Sequence, residues 1–249
     1  MTSAVTSLDA SQVCYQVASL LLSYPDEELL RRLPVLRAAI AETPHAGAFA
    51  ATFDHLESQS LTEAQSFHVQ EFDISRRHAL HLSYWTDGDT RRRGEVLAGI
   101  KQIYRESGLL VDLGGELPDH LPLVLEFAAL GDPERGTELL TRYRPSLELL
   151  RMQLEKDGLP QAGILQALCS TLPGRSPSTR AEVQAMVDAA MPVENVGLEG
   201  YGGDFLGMPQ VPKAEPDLGT VPTTTAEPVE APRPSLISRL TGRSKEKKQ

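Results

Sequence analysis

The sequence predicts an all-α protein in which a single helical-bundle domain is followed by a proline-rich tail. Apolar residues recur at three- and four-residue spacing along most of the first 190 residues, as on the buried faces of amphipathic helices. No run shows strict alternation of apolar and polar residues, and no hairpin dipeptide joins two such runs. The composition changes near Pro192, and seven prolines fall between Pro209 and Pro234.

Four helices are predicted in the first 70 residues. Each carries apolar residues on one face, and the second has an acidic first turn that suits the positive end of the helix dipole. Their positions are marked by a cap at Asp9 or Ser11, by Pro25, by the apolar run from Phe49 to Leu56, and by the capping box of Ser60 and Glu63.

Six further helices are predicted up to Ala190. Gly108 and Gly158 follow two of them and are typical helix ends. The predicted spans are Val96 to Tyr104, Asp119 to Leu130, Glu134 to Tyr143, Pro145 to Lys156, Leu159 to Leu172, and Ser178 to Ala190.

The stretch GELPDHLPLVLEFAAL predicts a buried helix with a polar start. Asp119 is suited to cap this helix, and Pro122 is tolerated in its first turn. Asp119, Pro122 and Glu126 then share one face, which meets solvent, a groove or a polar partner inside the protein. His120 lies on the apolar row of Phe127, where a histidine is more often a core residue than a catalyst.

The stretch HALH places His78 and His81 one helical turn apart, on a row with Ile74 and Trp85. Two histidines at this spacing are able to share a metal ion, and a hydrolase that uses them with Asp119 is one alternative function. No third ligand has a suitable spacing, and no H-E-x-x-H motif occurs. Phosphate-binding and nucleophile-elbow motifs are also missing, so the sequence does not favour an enzyme or a metal site.

The stretch YWTDGDTRRRGE lacks the later ligands of a calcium loop. Asp87 and Asp89 predict a turn and a cap instead. Arg91, Arg92 and Arg93 fall in the first turn of the following helix, where the helix dipole disfavours cations. Two explanations stay open: salt bridges within the protein, with Asp87, Asp89 or Glu95, or contacts with a partner.

Composition excludes several broad classes. The net charge of -10 and the pI of about 5.1 argue against a nucleic-acid-binding protein. Cys14 and Cys169 are far apart and predict reduced thiols in a cytoplasmic protein. The N-terminus does not have the pattern of a signal peptide, and the run from Leu20 to Leu22 is too short to span a bilayer.

Four regions are predicted along the chain: a flexible N-terminus at 1–10, an all-helical domain at 11–191, a disordered linker at 192–234 and a basic amphipathic tip at 235–249. The linker is rich in Pro, Glu and Thr and contains too few apolar residues to offset its ordering entropy. The tip, SLISRLTGRSKEKKQ, predicts either a solubilising end or a weak contact with an anionic membrane or an acidic partner.

Three stretches together resemble the nitrate reductase molybdenum cofactor assembly chaperones, the NarJ-type or delta subunit proteins. They are LLSYPDEELL, EFDISRRHALHLSYWTDGDTRRRGEVL and GGELPDHLPLVLEFAAL, and the resemblance extends from Ser11 to Ala190. The pattern E-x-P-D-H-x-x-x-x-L-E-F is similar to that of redox-enzyme maturation chaperones in general, whereas D-G-D-T-R-x-R-G resembles the nitrate reductase branch.

The resemblance implies an all-helical, cytoplasmic chaperone without enzymatic activity and without a tightly bound cofactor of its own. Its implied partner is the apo catalytic (alpha) subunit of respiratory nitrate reductase, whose N-terminal segment it binds. It keeps that subunit competent for insertion of molybdenum cofactor and iron–sulfur cluster before membrane docking. The alternative is a general helical adaptor that acts through its disordered tail.

The predicted client site is a groove between helices that accepts an amphipathic client helix. Asp119 and Glu126 are expected to receive cationic groups at its edge, near His120 and Pro122, while Tyr84 and Trp85 supply contact area. The charged residues that either bind the client or join helices are Arg76, Arg77, Asp87, Asp89, Arg91, Arg92 and Arg93.

Overall fold

The computed structural model describes residues 8–87, 91–109 and 111–190. This part of the chain contains no β-strand, which confirms the predicted all-α class. The predicted linker and tip, most of the predicted N-terminal region, and Asp89 lie outside the described residues. The helices are α1 (Ala10–Leu22), α2 (Glu27–Ala41), α3 (Ala46–Glu57), α4 (Leu61–His68), α5 (Leu82–Asp87), α6 (Arg91–Glu106), α7 (Leu121–Glu126), α8 (Pro133–Arg142), α9 (Arg144–Asp157), α10 (Ala162–Thr171) and α11 (Arg180–Ala190).

Local capping decides where the early helices begin. Of the two candidates for α1, Asp9 is the cap: its carboxylate accepts from the Gln12 N–H at 2.8 Å, and the Gln12 side chain accepts in return from the Asp9 N–H. The capping box of Ser60 and Glu63 on α4 is confirmed. Asp26, the residue after Pro25, caps α2.

The segment between α4 and α5 is not the continuous helix that the HALH pattern indicates. It consists of a π-helix at Val69–Ile74 and a 3-10 turn at Arg76–His78. Ser75 interrupts the helix because its backbone is extended, with φ -77° and ψ 112°. The chain then runs through a non-helical stretch to α5, so the predicted helical row of histidines is wrong.

The predicted helix Asp119 to Leu130 begins later than expected and changes its type part-way along. Its α-helical part, α7, begins at Leu121, and His120 occupies the cap position without a side-chain cap bond. From Phe127 to Gly131 the helix widens into a π-helix. The prediction that Asp119 caps this helix is therefore wrong.

The core forms where α1 packs against α7 and α9 packs against α10. Two glycines allow close contact elsewhere. A Cβ atom on Gly136 of α8 would overlap the backbone of Ala128, and one on Gly163 of α10 would overlap the carbonyl of Ala48. Each pair of elements therefore meets backbone to backbone.

The two cysteines, Cys14 and Cys169, are free thiols inside this core. Burial raises the pKa of Cys14 to about 12, so this thiol stays protonated at neutral pH. Within the described ranges, no helix combines the length and apolar character that crossing a membrane requires.

Candidate functional site

Two segments that are distant in sequence pair through their backbones. Residues 79–83 approach residues 117–121 in antiparallel fashion, and we call this pair the bridge junction. It fixes the end of the HALH stretch against the start of α7. The pairs are Leu121 N–H to Leu80 O at 2.7 Å and Leu82 N–H to Asp119 O at 3.1 Å, with His81 opposite His120.

The carboxylate of Asp119 lies at the centre of the bridge junction, with no exposed surface. Its Oδ2 accepts from the N–H of Ser83 at 3.0 Å and from the Ser83 hydroxyl at 2.6 Å. Its Oδ1 lies 3.3 Å from Nδ1 of His81. The Arg93 guanidinium donates to the Ser83 Oγ at 3.1 Å and approaches Asp119 to 3.8 Å.

The electrostatics of the bridge junction keep Asp119 charged and His120 neutral. Burial raises the pKa of Asp119, but hydrogen bonds from His81 and Ser83 outweigh it and hold this pKa below its ordinary value. Burial is the main cause that lowers the pKa of His120 to about 3; the nearby His81 acts in the same direction, and Asp119 opposes it. The rings of His81 and His120 are 5.3 Å apart.

Around the bridge junction, several aromatic and apolar side chains are exposed or partly exposed, and we call this set of residues the junction face. Leu117 is 41% exposed, and the rings of the other members are partly exposed. The indole N–H of Trp85 donates to the Ala79 carbonyl at 2.9 Å, which fixes the orientation of the ring. The junction face consists of His81, Tyr84, Trp85, Leu117 and His120.

Half of the predicted client-binding residues do not reach this surface. Asp119, Pro122 and Glu126 are all buried, so their predicted position at an open groove edge is wrong. The cause is the packing of α7 against α1, where the Pro122 carbonyl accepts from the Ser19 hydroxyl at 2.7 Å. For Asp119, the third predicted alternative, a polar partner inside the protein, is the one observed. Tyr84, Trp85 and His120 are partly exposed.

The predicted client or structural charges fall into different environments. Arg93 contacts Ser83 and Asp119 and thus joins α6 to the bridge junction. Arg76 and Arg77 are exposed on the 3-10 turn. Asp87 accepts a hydrogen bond from its neighbour Thr86. Asp89 and the side chains of Arg91 and Arg92 lie outside the described residues.

The two histidines of the HALH stretch have separate carboxylate partners. His78 is buried, with Nε2 at 2.8 Å from Asp157 and Nδ1 at 3.1 Å from Glu71. His81 instead approaches Asp119. In the described ranges, no group of three or more His, Cys, Asp or Glu residues is arranged to hold a metal ion.

A second buried polar cluster, which we call the loop junction, was missed in the sequence. Glu148 on α9 has no exposed surface and contacts Arg144 at 3.4 Å and Arg151 at 2.7 Å. Arg144 also donates to the carbonyls of Leu172 and Gly174. The spacing of Arg144, Glu148 and Arg151 on one helix is readable in the sequence. The carbonyls that Arg144 binds have no such signal.

A profile of the family described as nitrate reductase delta subunit matches residues 31–160, which is more than half of the chain and includes the whole bridge junction. The chain belongs to this family. The resemblance to NarJ-type chaperones is thereby confirmed, and the matched range contains all the residues of the junction face.

Curated relatives in this family differ in length. The chain is 32% identical over 181 residues to "Probable nitrate reductase molybdenum cofactor assembly chaperone NarJ" of Bacillus subtilis, a match that covers 72% of this chain and 97% of that protein. It is 40% identical over 159 residues to the nitrate reductase-like protein NarX of Mycobacterium tuberculosis. That match covers 64% of this chain but only 24% of NarX, so the chain spans about a quarter of that relative.

A solved structure shows the same fold. The crystal structure of a redox enzyme maturation protein from Archaeoglobus fulgidus superposes with a TM-score of 0.52 at 22% identity. The superposition covers 68% of this chain and 98% of the other. The all-helical fold of the redox-enzyme maturation type is therefore shared by the two proteins.

Proposed function

We propose that this chain is a dedicated assembly chaperone for respiratory nitrate reductase. It binds the N-terminal segment of the apo catalytic subunit in the cytoplasm and keeps that subunit competent for molybdenum cofactor and iron–sulfur insertion before membrane docking. The observation that carries this proposal is the match that spans nearly the whole of the Bacillus subtilis NarJ chaperone.

The junction face is the surface proposed for the client. Aromatic rings and a leucine provide apolar contact area, and rings lose little conformational entropy when they bind. An amphipathic client helix with apolar anchors one turn apart suits such a surface. Leu117, Tyr84 and Trp85 supply the apolar contacts in this proposal, and His120 supplies a neutral polar group beside them.

The proposed role of the buried residues differs from that predicted from the sequence. Asp119 and Glu126 no longer receive client cations directly, because both lie under the surface. Asp119 instead positions the junction face through Ser83 and His81. Pro122 and Glu126 belong to α7, which begins at the end of the bridge junction.

Co-purification from nitrate-respiring cells tests the proposal. A tagged chain is expected to bring down the catalytic subunit, and metal analysis of the captured subunit is expected to show little molybdenum. A matched capture with a Leu117→Asp variant should recover much less subunit. Cells that lack the gene yet produce fully metallated, active nitrate reductase would contradict the proposal.

The general adaptor is the second candidate, and the composition of the tail is the observation that favours it. Removal of the residues after Pro192 separates the two functions. The chaperone proposal expects this truncated chain to restore nitrate reductase activity to a deletion strain. An adaptor that works through its tail would fail to restore it, although the same amount of chain accumulates.

A further inference from the structure

A cleft of about 600 Å³ lies beside α8, away from the residues of the junction face. Five residues of α8 line the cleft, four of them at the spacing of a single helix face, together with Asp9 and Pro173. The four are Glu134, Thr137, Glu138 and Thr141, and the fifth is Pro133.

The lining of the cleft combines carboxylates with less polar groups. Glu134 and Glu138 are exposed, and neither has an ion-pair partner among the described residues. Asp9 caps α1 and adds a third carboxylate. Prolines and threonines make up the rest of the lining. A ligand for such a surface carries separated cations and small aliphatic side chains.

One segment of the chain itself has this chemistry. Residues 235–249 read SLISRLTGRSKEKKQ and combine aliphatic side chains with five cationic ones. Arg239 and Arg243 are four residues apart, as are Glu134 and Glu138 on the wall of the cleft. Its positive charge distinguishes this segment from the acidic linker that precedes it.

The linker between α11 and the basic C-terminal segment is long enough for this segment to reach the cleft. Residues 191–234 separate α11 from this segment, and a fully extended chain of that length spans at most about 150 Å. A folded domain of this size has a radius of gyration of about 16 Å. The tether therefore reaches any face of the domain and holds the segment at an effective concentration of about 1 mM.

We propose that the cleft beside α8 binds the chain's own basic C-terminal segment, residues 235–249. Arg239 and Arg243 pair with Glu134 and Glu138, and the aliphatic side chains lie against the threonines and prolines. Exposed ion pairs are individually weak, so the contact depends on the tether and weakens as salt rises. The segment thus occupies a face of the chaperone that the proposed client does not use.

Paramagnetic relaxation in the full-length chain tests this contact. A nitroxide is attached to the thiol introduced by Ser238→Cys, while Cys14 and Cys169 are buried and remain unlabelled. At low ionic strength, the amide signals of Thr137 and Thr141 are expected to lose at least half of their intensity. The signal of Val35 on α2 should remain unchanged, and 0.5 M salt should restore the lost intensity.

Charge reversal provides the decisive comparison. Glu134→Lys with Glu138→Lys should abolish the broadening, and adding Arg239→Glu with Arg243→Glu should restore it. Glu27→Lys with Glu42→Lys is the matched control, because it changes the net charge equally at exposed positions on α2 and its cap. Broadening that is absent in the original chain, or that survives reversal in the cleft, overturns the proposal. Attachment of the segment to anionic vesicles without broadening at Thr137 overturns it as well.

Discussion

Among the described residues, two carboxylates have no exposed surface, and their partners come from different parts of the chain. Glu148 is held by Arg144 and Arg151 of its own helix, α9, and the cluster closes over the loop that follows α10. Asp119 is held by Ser83, which is far away in sequence, and the cluster supports a partly exposed surface.

This difference predicts which of the two carboxylates affects only stability and which also affects client binding. A carboxylate that joins residues of one helix to a loop stabilises the fold without shaping a binding surface. A carboxylate that joins α5 to the start of α7 fixes the relative positions of Tyr84, Trp85 and Leu117. Both sites are expected to contribute to folding, but only the Asp119 site is expected to affect the client.

The largest loss of stability is expected for Glu148→Ala. This change leaves the Arg144 guanidinium, which is 4% exposed, without its carboxylate, and breaking a buried pair costs about 3–5 kcal/mol. Urea unfolding measures the loss. Glu155→Ala is the control, because Glu155 is an outer partner of Arg151 and should cost less than about 1 kcal/mol. A fall in client affinity of the folded Glu148→Ala protein would remove the distinction between the two carboxylates.

Asp119→Ala is expected to lower the free energy of unfolding by about 3 kcal/mol, because the Ser83 N–H and hydroxyl lose their acceptor in a buried place. The same variant should lose at least tenfold in client affinity at a temperature where it stays folded. The Asp119→Asn variant keeps an acceptor for Ser83. Its stability and client affinity should therefore lie between those of the unsubstituted chain and those of Asp119→Ala. An Asp119→Ala protein that binds the client as the unsubstituted chain does would show that the site is only structural.

The Asp119 site contains histidines, whereas the Glu148 site contains none, so acid should weaken the former first. The pKa of His120 is about 3 in the folded protein and about 6.5 in an unfolded chain. Between these values the unfolded chain binds a proton that the folded protein does not. This contribution to stability is therefore complete above pH 6.5 and is lost as the pH falls toward 3.

The slope from this one group reaches about 1.4 kcal/mol per pH unit within that window. Urea unfolding at several pH values between 7 and 4 measures it, and His120→Gln should flatten the profile. His68, whose pKa burial also lowers, adds a loss of the same sign that the His120→Gln variant retains. Identical pH profiles of stability for the unsubstituted chain and His120→Gln would contradict the prediction that His120 is neutral in the folded protein.

The smallest expected effects distinguish an arginine that joins elements within the protein from one that is available to contact a partner. Arg93→Ala is expected to cost about 1 kcal/mol, because the guanidinium donates to Ser83 within the bridge junction. Arg76→Ala should change stability by less than about 0.5 kcal/mol, because Arg76 is exposed. Thermal melting of both variants tests this, and an equal loss for the two would contradict the structural role of Arg93.

The sequence predicts much of the fold because helices depend on local signals. Asp9, the pair Ser60 and Glu63, and the stops at Gly108 and Gly158 all act within one turn, and each was predicted from neighbouring residues. The two glycines have φ angles of 73° and 69°, as helix-terminating residues require.

The site was harder to predict because its partners are distant in sequence. Nothing near Asp119 indicates that its carboxylate accepts hydrogen bonds from Ser83 rather than from the N–H groups of a helix terminus. Helical periodicity also placed His78 and His81 on one row, although the backbone at Ser75 is extended. Both errors come from tertiary pairing, which overrides local preference and leaves no spacing pattern.

Calorimetry with the client peptide tests the central claim, that the junction face binds the leading segment of the catalytic subunit. The peptide is the N-terminal segment of the cognate subunit, titrated into the full-length chain, into Leu117→Asp and into Val35→Asp. Leu117 lies on the junction face, whereas Val35 is an exposed apolar residue on α2, with 69% of its surface accessible. The account predicts at least a tenfold loss of affinity for Leu117→Asp and no change for Val35→Asp. Equal affinity of all three proteins, with unchanged melting temperatures, would contradict it.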